Sequence, residues 1–299
     1  MTTTLAPSSA LFLASVNRIE GRIAEANAQI TSGKRINVAS DAPDQLGTLL
    51  QLRADQQRNT QIQSNLALEK TNASAADDAL TSAVKLIDRA IQFATEGATA
   101  TQTADTRAAL AEEVEALQAQ MVICSQTQVQ GHYVFSGDQD TSPTYELDIS
   151  APGGVDVLSS APATRRVEDA AGGSFAVSKT AKEVFGDDNA NVFASLNSLR
   201  VALRNNDQAG TRNALTLLHA ASTHLNNMQA FYGAVENRID DAISFATHYG
   251  IQLTTQISST EDADITSAAL QLTQASIQLQ AAFQTQGKMP TQTLFDFLA

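Results

Sequence analysis

Both ends of this chain carry an apolar seam in heptad rhythm, and that pairing restricts the folds open to it more than any other feature. Near the N-terminus the series is Phe12, Val16, Ile19, Ile23, Ala26 and Ile30. Near the C-terminus it is Ile265, Ala269, Leu272, Ser276, Leu279 and Phe283. Steps that alternate between four and three residues keep one stripe of a helix facing a partner helix. The two seams have an obvious partner in each other. Pairing them predicts a two-helix stalk made from the two ends of the chain, with everything between folding as an outward excursion. Assembly subunits are built on such a plan, and enzymes seldom are.

Composition agrees with long helices. The chain has 299 residues, with aromatics at only 5%, no Trp, 15 Gly and 6 Pro. Helix punctuation is sparse, and a thick globular core would call for more large rings. The net charge of −13 argues against a nucleic-acid partner, because a polyanion is repelled unless a large basic patch receives it. Lys34–Arg35 and Arg165–Arg166 are too small to form one. No apolar run approaches the roughly 18 residues of a membrane span, which argues against membrane insertion. The first residues, Met1-Thr-Thr-Thr-Leu5, lack the basic start of a secretory signal, which argues against classical export and leaves export by another machine open.

Along the chain, the first helix should end at Ser32-Gly33, where glycine takes the left-handed conformation that closes helices. Asp41 is placed to cap a second helix with Pro43 in its first turn. That helix runs to about Thr95 on a face marked by Leu46, Leu49, Leu50, Ile62, Leu66, Leu80, Val84, Ile87 and Ile91, with a break expected near Asn72-Ala-Ser74. A third helix, capped by Asp105, should reach about Gln130. From His132 the pattern alternates, and 145–149, 155–158 and 175–177 read as strands between Pro-Gly and Gly-Gly turns. The residues 132–185 are expected to form a small β-rich insert that adds little apolar burial to the helices. Helix returns at about Val192. From Ala214 the series Leu218, Ala221, Leu225, Met228, Tyr232, Val235, Ile239, Ala242, Ala246, Tyr249 and Leu253 keeps the four-three step unbroken. The predicted fold class is mainly α and elongated: long antiparallel helices with a terminal coiled coil and a small β-rich insert.

Chemistry is hard to find. There is no GxGxxG, no phosphate-cradling GxxxxGK and no GxSxG elbow. His219 and His224 lie five apart, off the spacing that aims two imidazoles at one metal, and read as solvated helix-surface residues. The acidic pairs Asp77-Asp78, Asp187-Asp188, Asp240-Asp241 and Glu261-Asp262 lack catalytic partners and read as solvated faces. Asp138-Gln-Asp140 lacks the glycine and distal glutamate of a calcium loop. Cys124 continues the seam of the third helix as a small buried hydrophobe. No catalytic residue, cofactor or metal site is expected.

Several motifs do point to a family. Asn17-Arg-Ile19, Ile30-Thr-Ser-Gly-Lys-Arg-Ile-Asn37 and Ser40-Asp-Ala-Pro-Asp44 resemble the N-terminal signature of flagellins and their hook-associated relatives. Gly233-Ala-Val-Glu-Asn-Arg238 and Ser259-Thr-Glu-Asp-Ala-Asp264 resemble C-terminal motifs of the same superfamily, in the right order. Gly131-His-Tyr-Val-Phe-Ser-Gly-Asp138, Thr164-Arg-Arg-Val167 and Leu294-Phe-Asp-Phe-Leu298 are similar to the hook–filament junction proteins rather than to filament flagellins. Pro43 departs from the family pattern.

The resemblance implies a structural subunit of the bacterial flagellum, extracellular, exported through the flagellar type III apparatus. It implies residues 1–40 and 256–299 as an inner stalk, 41–131 and 186–255 as a middle helical layer, and 132–185 facing outward. The assembly interface implied comprises Phe12, Val16, Ile19, Ile23, Ile30, Arg35, Ile36, Asn37, Asn237, Arg238, Ile265, Leu272, Leu279 and Phe283. Leu294, Phe295, Phe297 and Leu298 would form a tail held by an export chaperone. The partners implied are hook-associated protein 1 and flagellin, with ring-like self-association. Filament flagellin and a secreted coiled-coil binding or adhesion module remain the alternatives.

Overall fold

A computed structural model describes residues 7–159 and 163–288. Among these described residues seven helices and six short strands follow one another: α1 (Pro7–Ser32), α2 (Pro43–Gly97), α3 (Ala104–Ser125), β1 (Gln128–Val129), β2 (His132–Tyr133), β3 (Tyr145–Leu147), β4 (Val155–Val157), β5 (Arg166–Glu168), β6 (Ser174–Ala176), α4 (Ala181–Phe185), α5 (Val192–Arg204), α6 (Gln208–Glu261) and α7 (Ile265–Gly287). The chain divides into two compact units, one of residues 1–58 with 250–299 and the other of residues 59–249.

In the first unit α1 packs along α7, as the paired seams require. The second is a helical bundle with three antiparallel hairpins, β1–β2, β3–β4 and β5–β6. Its core follows the α6 series closely: Ala214, Leu218, Ala221, Leu225, Tyr232, Val235 and Ile239 are all buried, against Leu66, Leu80, Ala83 and Ile87 of α2. At ~1.5 Å per residue, α2 and α6 each run about 80 Å.

Several local expectations give way to better chemistry. The break near Asn72 is absent, because Ala73 and Ala76 bury fully and keep α2 continuous. Leu50, expected on the buried face, is 55% exposed. Thr103, not Asp105, caps α3, its hydroxyl accepting from the Thr106 amide at 3.2 Å. Asp41 does not cap α2; its carboxylate turns back to accept from the amides of Asn37 and Val38. The bonds from Val38 and then Asn37 hold its pKa below the ordinary value. The third helix stops at Ser125, since Gln130 and Gly131 adopt positive φ and form the turn of β1–β2.

The largest difference concerns the insert. It is not a light appendage but part of the bundle core. Phe135, Phe185 and Phe193 are buried, and Phe135 meets Phe185 and Tyr232 edge-to-face at 5.3 and 6.1 Å between centroids. Val134, Tyr145, Val167, Phe175 and Val177 join the same cluster. Polar grips reinforce the apolar ones. Gln118 donates to the Gly153 carbonyl, Asn197 to the Pro152 carbonyl and Arg200 to the Ile149 carbonyl, so α3 and α5 hold the β3–β4 turn from two sides.

Candidate assembly interface

On α1 the expected stripe is in place. Val16, Ile19 and Ala26 are buried, and Phe12, Ile23 and Ile30 are half-buried. On α7 Ala268 and Ala275 are buried and Leu272, Ser276, Leu279 and Ala282 half-buried, so the inward stripe centres one residue away from the Ala269 and Ser276 of the sequence reading. Leu272 and Leu279 belong to both versions. Ala268 and Ala275 sit at the contact at 1% and 2% exposure, because small side chains let the two backbones approach. Ile265 and Phe283 are moved outward to 46% and 53% exposure, although Phe283 still touches the edge of Phe12 at 6.1 Å. Arg22 donates to the Gln278 side chain across the pair at 2.8 Å.

Large apolar residues also lie on the outer surface of this pair, among polar ones. Leu11, Leu13, Leu270 and Ile277 are between 46% and 72% exposed. A lone two-helix pair is marginal in water. Its exposed Leu11, Leu13, Leu270 and Ile277 leave apolar area in water that a packing partner would cover.

The segment after α1 is built to meet the end of α6. Gly33, at φ +71°, closes α1. Arg35 then donates its amide to the Glu261 carbonyl at 2.7 Å, and the Ala263 amide returns a bond to the Gly33 carbonyl at 2.9 Å. The Arg35 guanidinium reaches the Thr260 carbonyl and Gln45 Oε1, both at 2.6 Å. Ile36 is buried with Ala42, Leu49 and Ile257. Asn37 folds back onto the Lys34 carbonyl. Glu261 accepts from Lys34 and Arg53 and lies at 3% exposure. Burial works against its charge, yet the hydrogen bonds from Lys34 and Arg53 prevail and lower its pKa.

Asn237 and Arg238 lie on α6 in the other unit. Asn237 is exposed and bonds to the Gly233 carbonyl. The Arg238 guanidinium covers the Phe175 ring at 4.3 Å, tying the β5–β6 hairpin to the helix. Leu294, Phe295, Phe297 and Leu298 lie outside the described residues.

Sequence reasoning passed over Glu261, which it read as part of a solvated acidic pair, and Arg107. The Arg107 guanidinium accounts for the α2–α3 turn, donating to the Gly97 and Thr99 carbonyls and to the Asn206 side chain. His224 is not a free surface residue: its Nε2 donates to the Glu183 carbonyl at 2.9 Å. Cys124 is half-buried rather than enclosed, and burial raises its thiol pKa.

No group of three or more His, Cys, Asp or Glu is placed to hold a metal ion among the described residues. No helix among them is long and apolar enough to cross a membrane. What the arrangement offers is packing surface.

Comparison with known proteins agrees with this geometry. The bacterial flagellin N-terminal helical region matches residues 4–140, and the bacterial flagellin C-terminal helical region matches residues 215–298. The chain belongs to the flagellin family, whose members are structural components of the flagellum. No curated protein matches it significantly.

Among solved structures, a protein assigned as a flagellar hook-associated protein of Vibrio parahaemolyticus is 21% identical with a TM-score of 0.65, over 74% of this chain and 100% of its own. Flagellar hook-associated protein 3 of Legionella pneumophila is 14% identical with a TM-score of 0.59, over 69% and 98%. FlgL of Bacillus cereus is 17% identical with a TM-score of 0.56, over 72% and 100%. At these identities the likeness is one of fold.

Proposed function

We propose that this chain is the hook–filament junction subunit, a structural part onto which flagellin assembles. The observation that carries the reading is the α1–α7 pair, whose outer surface keeps Leu11, Leu13, Leu270 and Ile277 uncovered while its seam is closed. A subunit so made gains stability by burying that surface on neighbours, at about 25 cal/mol per Å² of apolar area. The fold's likeness to hook-associated proteins, together with the run Gly131–Asp138, favours the junction over the filament.

In this reading 1–40 and 256–299 form the inner layer, 41–131 and 186–255 the middle layer, and 132–185 faces outward. Ile265, Phe283, Arg35 and Asn237 belong to contacts between subunits. Hook-associated protein 1 and flagellin are the axial neighbours. The tail Leu294–Leu298 meets an export chaperone before the subunit leaves the cell. The work done is mechanical, without catalysis.

Deleting the gene tests this directly. Cells should build hooks but shed flagellin into the medium, and a copy ending at Gly287 should fail to restore swimming. Normal filaments on the deletion strain would refute the assignment. Growth of the purified protein on filament seeds would assign it to the filament instead.

A further inference from the structure

One buried carboxylate bolts the α1–α2 connection to the end of α6. Glu261 Oε1 receives Lys34 Nζ at 2.5 Å and Arg53 Nη2 at 2.6 Å. Lys34 comes from the connection and Arg53 from the third turn of α2, and their side chains are 47% and 45% exposed against 4% for Glu261. The backbone at this place is slight: Lys34 and Asp262 form an isolated antiparallel bridge, flanked by the Arg35-to-Glu261 and Ala263-to-Gly33 bonds. Two strands without a third are marginal in water, so these rungs need a further tie. α6 ends at Glu261 and α7 begins at Ile265, capped by Asp264. The joint therefore fastens both members of the α1–α7 pair to the helices that precede and follow them.

We propose that Glu261 is a charge lock: its carboxylate, held by Lys34 and Arg53, keeps this joint closed, and loss of the charge opens the joint without unfolding the rest of the protein. The lock is asymmetric. Removing the carboxylate frees two half-exposed cations, which water readily takes up. Removing the cations strands an anion at 3% exposure, and a buried unpaired anion recovers by binding a proton. The other charged groups at the joint are committed elsewhere. The Arg35 guanidinium is on the Thr260 carbonyl and Gln45. The Asp41 carboxylate is on the amides of Asn37 and Val38. Asp262 is on the Ser258 hydroxyl.

The two ways of breaking the lock therefore respond to acid in opposite senses. In the native chain, lowering the pH through the depressed carboxyl pKa opens the joint. With both cations gone, lowering the pH neutralises the stranded anion and removes the part of the opening that its burial causes.

Hydrogen exchange on the full-length chain, corrected for intrinsic rates, reads this out. In Glu261→Gln the Arg35 and Ala263 amides should exchange roughly tenfold faster or more, while amides of Leu196–Leu203 in α5 keep their native rates, as expected for local opening. Lys34→Met with Arg53→Met should accelerate the same two amides beyond the Glu261→Gln level at neutral pH, where the anion is stranded, and fall back to that level in acid. Adding those changes to Glu261→Gln should do nothing more. Native exchange of Arg35 and Ala263 in Glu261→Gln would overturn the lock. Acceleration spread equally into α5 would overturn it too, by making Glu261 a residue of global stability.

Discussion

Phe135→Ala tests most sharply whether the β-hairpin region is part of the core. Phe135 is 0% exposed and lies edge-to-face against Phe185 and Tyr232, which are also 0% exposed. Its neighbours are held from behind: the Tyr232 hydroxyl accepts from the Lys179 amide at 3.0 Å, and the Ala181 amide donates to the Phe135 carbonyl at 2.6 Å. Such a site collapses little around a missing ring, so the cost is about 4 kcal/mol, the middle of the 3–5 kcal/mol range for Phe→Ala. For a unit of this size each kcal/mol moves the thermal midpoint by about 2–4 °C, which gives a fall of about 8–16 °C. Far-UV circular dichroism of the long helices is the right assay, because they do not contain the substituted residue. If Phe135 sat in a detachable appendage, the helical transition would stay where it is. A midpoint within about 2 °C of the native one would refute the shared core.

Other substitutions separate backbone strain from packing and charge. Gly154→Ala places a Cβ 1.9 Å from Gln118 Nε2 at φ +70°, whereas Gly33→Ala meets nothing within 4 Å at φ +71°. Both pay about 1–2 kcal/mol for the left-handed conformation, and only Gly154→Ala should also loosen the β3–β4 turn, seen as faster exchange at residues 148–154. Arg238→Ala should cost about 0.5–1 kcal/mol in urea unfolding through the lost contact with Phe175. An unchanged midpoint would remove that contact from the account. Glu183 makes a capping box with Thr180 at the start of α4. Burial raises its pKa, but the bonds from Lys179 and Thr180 outweigh this and leave it depressed. Its contribution is therefore present above the unfolded carboxyl pKa and lost as pH falls through the folded one. Thermal midpoints of the native chain and Glu183→Gln should differ at neutral pH and converge in acid; a constant gap would show the charge to be irrelevant.

How much of this was legible in the sequence depends on how local each signal is. The α6 stripe could be read residue by residue because Leu218, Leu225, Tyr232 and Ile239 recur at seven-residue steps, with smaller apolar residues between them keeping the four-three alternation. On α7 the same rule misplaced the seam. That helix offers two stripes of small and apolar residues, and Leu272 and Leu279 fit either. Periodicity cannot choose between Ala268 and Ala269; the closeness of α1 does. Caps failed for a similar reason. Asp41 and Asp105 are chemically adequate, but Thr103 reaches the Thr106 amide, and Asp41 finds two amides behind it.

The deeper failure was of range, and it has one cause at two places. Phe135 and Phe175 sit in strands and turns too short to announce where they pack, and their burial is decided by Tyr232 and Arg238 far along the chain. Glu261 stands beside Asp262 in a polar run, so its local pattern is that of solvated charge. Its 3% exposure comes from an arginine 208 residues away and a lysine in the opposite half of the chain. Helical period reports which face of an element is buried, but not which element buries it. For this family the second question bears more directly on function. The contacts that fasten the hairpins to the bundle and the terminal pair to its joint are the ones that determine which surfaces remain for neighbouring subunits.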